Sequence, residues 1–229
     1  MDLNSSLPLG NLQCEQKVLK NTDGSAMYTA GETNVLVGVY GPADCKESKQ
    51  DVKQAVVEVN FRPKIGIPGV AEKYMEKFVC KICESVILRS FHPRTAFSVI
   101  VQVMQDQGSL LSCAINAVSM ALQDAGISMR CMPVAVTVAL QKKEKEDNEM
   151  KDDSKKFVIS PSTKDEEESV AIATFVFDSA QYDSISAYAC GPMTSDEYRE
   201  CLRLAKEASK HIVRFFRDSV SRKVSTDIR

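Results

Sequence analysis

Strand-like segments follow one another before the first helix can begin, and that order limits the fold more than any other feature of the chain. The segments are Leu12 to Lys20, Ser25 to Thr29, Asn34 to Tyr40 and Ala55 to Phe61. VLVGVY, residues 35 to 40, is a continuous apolar run suited to a central strand, whereas AVVEVNF, residues 55 to 61, alternates as a half-buried strand should. Thr22-Asp-Gly-Ser25 and Gly41-Pro42 supply turn chemistry between them. RPKIGIPG, residues 62 to 69, predicts a loop, and a helical pattern then runs from Val70 to Arg89. Thr95 to Met104 reads as a strand, Ser109 to Ala125 as a helix closed by Gly126, and Cys131 to Leu140 as a strand with Pro133 near its start. Three further strands are expected at Phe157 to Ser160, Ser169 to Asp178 and Ser184 to Cys190. The last helix opens with a capping box at Thr194 and Glu197, and its apolar stripe is Leu202, Ala205, Ala208, Ile212, Phe215 and Phe216. Strands in meanders with helices grouped between them exclude an alternating Rossmann pattern. They predict an α+β layer architecture with mixed or antiparallel sheets packed on helices.

This organisation fits one domain over residues 12 to 220, with a polar N-terminal tail at 1 to 11 and a C-terminal tail at 221 to 229. Inside it, QKKEKEDNEMKDDSKK (141 to 156) has six lysines and six acids that cancel, which predicts a solvated loop insertion. The formal net charge of −2 gives no global reason to expect nucleic-acid binding, so any basic patch must be local. No apolar run approaches the ~20 residues of a membrane span. MDLNSSLPLGNLQ lacks the basic and apolar regions of a signal peptide, so none is expected.

Eight cysteines are scattered along the chain, which without a secretory signal predicts reduced thiols. Cys80 and Cys83 have the spacing of a zinc or redox pair, but no second such pair exists and the only histidines are His92 and His211. The pair also falls near the apolar positions Val79, Ile82 and Val86, so these read as core cysteines and no metal or cofactor is expected. Neither histidine has a serine or cysteine partner at a recognisable spacing.

The sharper question is DQGSLLSCAINAVSMALQDAGI, residues 106 to 127. A Gly-Ser step opening a helix of small residues is a common way to hold a phosphate, because the helix start offers unpaired N–H groups and the positive end of the macrodipole. Such sites usually add a basic side chain or more hydroxyls. Here the next residues are Leu110 and Leu111.

That stretch, together with DGSAMYTAGETNVLVGVYGPAD (23 to 44) and the final CGPMTSDEYRECLRLAKEA run, resembles the RNase PH-like family. CEQKVL, FRPKIGIPGVAEK and FHPRT are most similar to ring subunits of the eukaryotic RNA exosome. The resemblance covers nearly the whole chain and implies a ribosomal-protein-S5-domain-2-like fold. It also implies a hetero-hexameric ring of RNase PH-like subunits, cap subunits with RNA-binding folds, single-stranded RNA in the channel, and associated catalytic ribonucleases. The implied locations are nucleus, nucleolus and cytoplasm, with work in rRNA processing and mRNA decay.

The same resemblance implies a degenerate active site. Active members carry Gly-Thr-Arg-Thr or a Gly-Ser-rich variant where this chain has Gly108, Ser109, Leu110 and Leu111. Leucine cannot donate to phosphate as arginine does, which leaves backbone N–H groups and the Ser109 hydroxyl. The family's metal-binding acids, spaced Asp-x-Asp-x-x-x-Asp, correspond to Ser160, Ser162 and Glu166, and the run from Asp165 to Glu168 reads as a solvated loop. Arg62 and Lys64 lie on the Pro/Gly loop where active relatives place residues that touch RNA; Arg89, His92 and Arg94 surround a second turn. No aromatic residues interleave with these charges. Two functions follow as expectations: a non-catalytic structural and RNA-path subunit, or alternatively an active phosphate-dependent 3′-to-5′ exoribonuclease. The missing arginine and aspartates favour the first.

Overall fold

A computed structural model describes residues 10–141 and 156–227. The first sheet contains β1 (Leu12–Gln16), β2 (Gly24–Ala30), β3 (Thr33–Asp44), β4 (Val56–Arg62) and β5 (Thr95–Gln105) in the order β1-β2-β3-β5-β4. Its pairings are antiparallel except β4 with β5, because the chain between these two crosses over as helix α1 (Val70–Val86). The second sheet is antiparallel, in the order β7-β6-β8-β9, from β6 (Pro133–Gln141), β7 (Lys156–Ile159), β8 (Ser169–Asp178) and β9 (Ser184–Cys190).

Helix α2 (Leu110–Asp124) lies between the sheets, packed on β2 and β3 on one side and on β6 on the other. Every residue from Leu111 to Leu122 is buried, which only small residues on most faces permit. From the first sheet Val35, Val37, Val39, Val57, Val59, Val99 and Val101 point into this core, at alternate positions along each strand. Each valine withdrawn from water contributes about 1.5–3 kcal/mol before conformational entropy is set against it. α1 packs on β4, and its Tyr74 and Phe78 rings touch Tyr188 of β9, so it shares the layer of α2. Helix α4 (Ser195–Asp227) covers the other face of β6 and β8 and reaches β1.

One polar residue in the core has a specific task. β7 pairs with β6 only from Val138 to Gln141, which leaves the same edge of β6 open near Ala135. Asn116 of α2 fills the gap: its Nδ2 donates to Ala135 O at 3.0 Å and its Oδ1 accepts from Ala135 N at 2.8 Å. A buried backbone pair is thereby satisfied by a side chain.

The order of elements matches the sequence reading, with local differences. β1 stops at Gln16, short of Lys20, because Lys17 turns the chain with φ 60°. Gly41-Pro42 is no turn between strands; β3 continues through it to Asp44 with a register shift against β5 between Tyr40 and Ala43. α1 ends at Val86 because Ile87 is extended and bridges Met129, and Arg89–Phe91 form a separate 3-10 turn. The tail expected at 221 to 229 is helical to Asp227, where Lys223 docks the last turns of α4 on Asp124 of α2. The charged insertion lies almost wholly outside the described residues. No helix among the described residues is long and apolar enough to cross a membrane.

Candidate functional site

The C-terminal end of β5 delivers the chain into the turn Asp106-Gln107-Gly108-Ser109, and α2 begins at once. Gly108 (φ 105°) and Ser109 (φ 53°) both occupy left-handed backbone, which a glycine tolerates and a serine rarely adopts. Several bonds hold the turn there. Thr33 Oγ1 donates to Gly108 O at 2.7 Å and accepts from Gln107 N at 3.0 Å, while Thr163 N donates to Gln107 O at 2.9 Å. A Cβ on Gly108 would stand 2.5 Å from Pro161 O, so the turn is pressed against the loop at 160 to 163.

Every anion ligand that sequence leaves at Ser109 is already engaged. Ser109 is 6% exposed, and its Oγ donates to Pro161 O at 2.9 Å. Its N–H, which would face a phosphate, donates to Glu166 Oε1 at 2.7 Å. Gly108 N donates to Asp106 Oδ1 at 3.2 Å. The positive helix end therefore holds a carboxylate from the chain itself. Burial pushes the Glu166 carboxyl above its ordinary range; the Ser109 N–H pulls it back and the nearby Asp106 charge adds to the rise.

Glu166 reaches this position from a helix that the sequence reading missed. α3 (Thr163–Glu168) replaces the expected solvated loop. Ser162 is its N-cap: Ser162 N donates to Asp165 Oδ2 at 3.0 Å and Asp165 N donates to Ser162 Oγ at 3.4 Å. The Ser-x-x-Asp spacing of a capping box was the available signal. Ser162 Oγ also donates to Asp165 Oδ2 at 2.7 Å, which holds the Asp165 carboxyl below its ordinary range. Ser160 carries left-handed backbone (φ 52°) and donates its N–H to Thr137 O at 2.9 Å. Ser160, Ser162 and Glu166 thus serve a strand end, a helix cap and a helix start. They do not fit a divalent cation, which needs converging carboxylates. Among the described residues no three His, Cys, Asp or Glu side chains converge as a metal site.

Leu110 is half-buried and Leu111 buried, and both line a cleft of about 700 Å³ with Tyr74, Met75, Ile172 and Tyr188. The wall that the Leu110 and Leu111 side chains give this cleft is apolar.

The candidate RNA contacts fall into two separate places. Arg62 ends β4 opposite Gln102, and Lys64 follows on an exposed loop, at the same strand end as the Gly108 turn. Arg89 and Arg94 lie at the opposite end of β4 and β5, about 20 Å away at ~3.3 Å per residue. Arg89 O accepts from Ala55 N, and the Arg89 guanidinium is 3.7 Å from Glu84. Arg94 takes left-handed backbone with φ 62° and is exposed, and His92 packs edge-on against Phe97. Cys83 is buried, with its thiol pushed up to about 12 by burial, and Cys80 is half-buried with Sγ donating to Val57 O at 3.4 Å.

The family model described as the 3′ exoribonuclease family (RNase PH), domain 1, matches residues 9–128. The chain belongs to the RNase PH family. Its fold is that of the crystal structure of rice (Oryza sativa) Rrp46, with a TM-score of 0.83 and 31% identity over 93% of this chain and 95% of that one. An archaeal exosome core subunit shares the fold at a TM-score of 0.70 and 17% identity, covering 91% of this chain and 87% of that one. In sequence, the chain is similar to the exosome complex exonuclease RRP46 homolog of Arabidopsis thaliana, 39% identical over 110 residues, which are 48% of this chain and 46% of the relative. The chain thus spans about half the length of the curated relatives it matches. In this RNase PH fold the start of α2 at the Gly108 turn is held by the Glu166 carboxylate of the chain itself.

Proposed function

We propose that this chain is a non-catalytic ring subunit of an RNA exosome core, supporting 3′-to-5′ RNA processing and degradation by helping to form the channel for single-stranded RNA. The observation that carries the reading is the 2.7 Å contact of Ser109 N with Glu166. Inorganic phosphate would have to displace a tethered carboxylate from a helix start where the Leu110 and Leu111 side chains offer no compensating donor. The Arabidopsis and rice sequence relatives, both named as exosome complex exonuclease RRP46 homologs, support membership of such a complex. Nucleus, nucleolus and cytoplasm are the compartments this role calls for. Cap subunits and associated ribonucleases complete the assembly.

The surface supports assembly as well. Ile65, Ile67 and Val70 are 85%, 92% and 89% exposed along one loop and the start of α1. A row of apolar side chains so open to water is an interface waiting for a neighbour. β4 and β9 are also sheet edges, which ring neighbours can cover.

The word exonuclease in the name of the Arabidopsis relative favours a second reading, phosphorolytic release of nucleoside diphosphates. The engaged Ser109 N–H and the missing carboxylates weigh against it. Co-expression with other RNase PH-like subunits tests the first reading: a stable ring containing this chain is expected. A chain that stays monomeric and binds none of them would overturn it.

A further inference from the structure

The second half of α4 presents a row of cations that no ion pair among the described residues neutralises. Lys206, Lys210, Arg214 and Arg217 are exposed, and at 3.6 residues per turn they fall within an arc of about 80°. That arc lies opposite Ala205, Ala208, Ile212 and Phe216, which pack into the core. At ~1.5 Å per residue the row is about 17 Å long, with steps of about 6, 6 and 4.5 Å.

The first half of the same helix is built differently. Arg199 is 3.4 Å from Asp196, and Arg203 is 2.6 Å from Glu200 and 2.9 Å from Glu207. Among the described residues no hydrogen bond or ion pair engages the side chains of the four later cations. Two acids border the row: Glu207 is held by Arg203, and Asp218 makes no ion pair with it. A formal net charge of −2 for the whole chain makes this positive field local.

We propose that this row is a second RNA-docking track, holding the phosphate backbone of a single strand on the outer face of α4. It stands on α4, whereas Arg62 and Lys64 stand on the end of β4 and the loop after it, so the two sets are on separate elements. A straight line of charged, solvated side chains matches the regular charge of a phosphodiester chain. A protein partner would bring apolar anchors, and none of the exposed large apolar side chains lies between residues 203 and 221. No aromatic ring stands in the row either, so binding is indifferent to base. That the polyanion is RNA rests on the ring-subunit reading above.

The test is fluorescence anisotropy of a labelled oligouridylate with the purified full chain across a salt series. Replacing Lys206→Gln, Lys210→Gln, Arg214→Gln and Arg217→Gln together should flatten the slope of log affinity against log salt by about 2.8, taking ~0.7 per contact. Arg199→Gln with Arg203→Gln, whose charges are already paired, should change it far less. Glu200→Gln with Glu207→Gln frees Arg203 and should steepen the slope by about 0.7. Circular dichroism of these surface variants should match the parent. An unchanged slope in the fourfold variant overturns the proposal, and so does loss of a partner subunit with RNA binding intact. Ring assembly scored separately distinguishes the two readings: a flattened slope in a chain that joins no ring sinks the function and keeps the track.

Discussion

Replacing Glu166 separates two opposing effects at the start of α2. The carboxylate satisfies Ser109 N at 2.7 Å, yet burial pushes its pKa up, so the charged form is disfavoured there. Glutamine keeps an acceptor oxygen for Ser109 N and removes the desolvated charge and its repulsion with Asp106. Alanine removes the acceptor. An N–H on a residue only 6% exposed then loses its partner, which costs about 1–3 kcal/mol when no water replaces it. The adjoining cleft can admit water, so the loss for Glu166→Ala relative to Glu166→Gln should be about 1 kcal/mol. The pH dependence has a definite sign. A carboxyl with a raised folded pKa binds more protons folded than unfolded between its two pKa values, so its contribution to stability is full below the ordinary glutamate value. It is lost as pH rises through the raised folded value. Glu166→Gln should therefore abolish that decline and be at least as stable as the parent at neutral pH. Urea denaturation of the three proteins across mildly acid to neutral pH reads all of this. Equal stability of the parent and Glu166→Ala at every pH would refute the seating of Glu166 on α2.

Gly108→Ala should destabilise by roughly 3 kcal/mol or more, since φ 105° and a Cβ 2.5 Å from Pro161 O add strain to overlap; thermal unfolding checks it. Arg62→Ala with Lys64→Ala in an assembled ring should flatten the salt dependence of RNA threading by about 1.4, equally for all sequences, and leave assembly intact. An unchanged slope would make both ordinary surface charges. Under native conditions iodoacetamide should label exposed Cys190 before Cys83 and Cys113, whose buried thiols are pushed up to about 12, as peptide mapping by mass will show.

The strand and helix order was legible because each core face repeats in sequence, as in Val35, Val37 and Val39 or Ala205, Ala208 and Ile212. Boundaries set by distant partners were not. Ile87 leaves its helix to bridge Met129, and α4 runs past 220 because Lys223 meets Asp124, neither of which a local window contains. At the site, the expectation that Leu110 stands where active relatives carry arginine comes from the family pattern alone. The use of Ser109 could not be read from sequence, because its hydroxyl and N–H go to Pro161 and Glu166, more than fifty positions away. The acids of 165 to 168 mask α3 by resembling a solvated charge run, although Ser162 and Asp165 have the spacing of a cap. The basic row of α4 was hidden too: sequence shows the cations, but only the ion pairs of Arg199 and Arg203 separate neutralised from free charge.

Release of nucleoside diphosphates from labelled RNA, with and without inorganic phosphate, tests the central claim most directly. The purified chain should release none in either condition, and Leu110→Arg alone should not create activity, because Glu166 still occupies Ser109 N and Ser160 and Ser162 offer no carboxylate to a cation. Phosphate-dependent release of diphosphates by the parent chain would contradict the account.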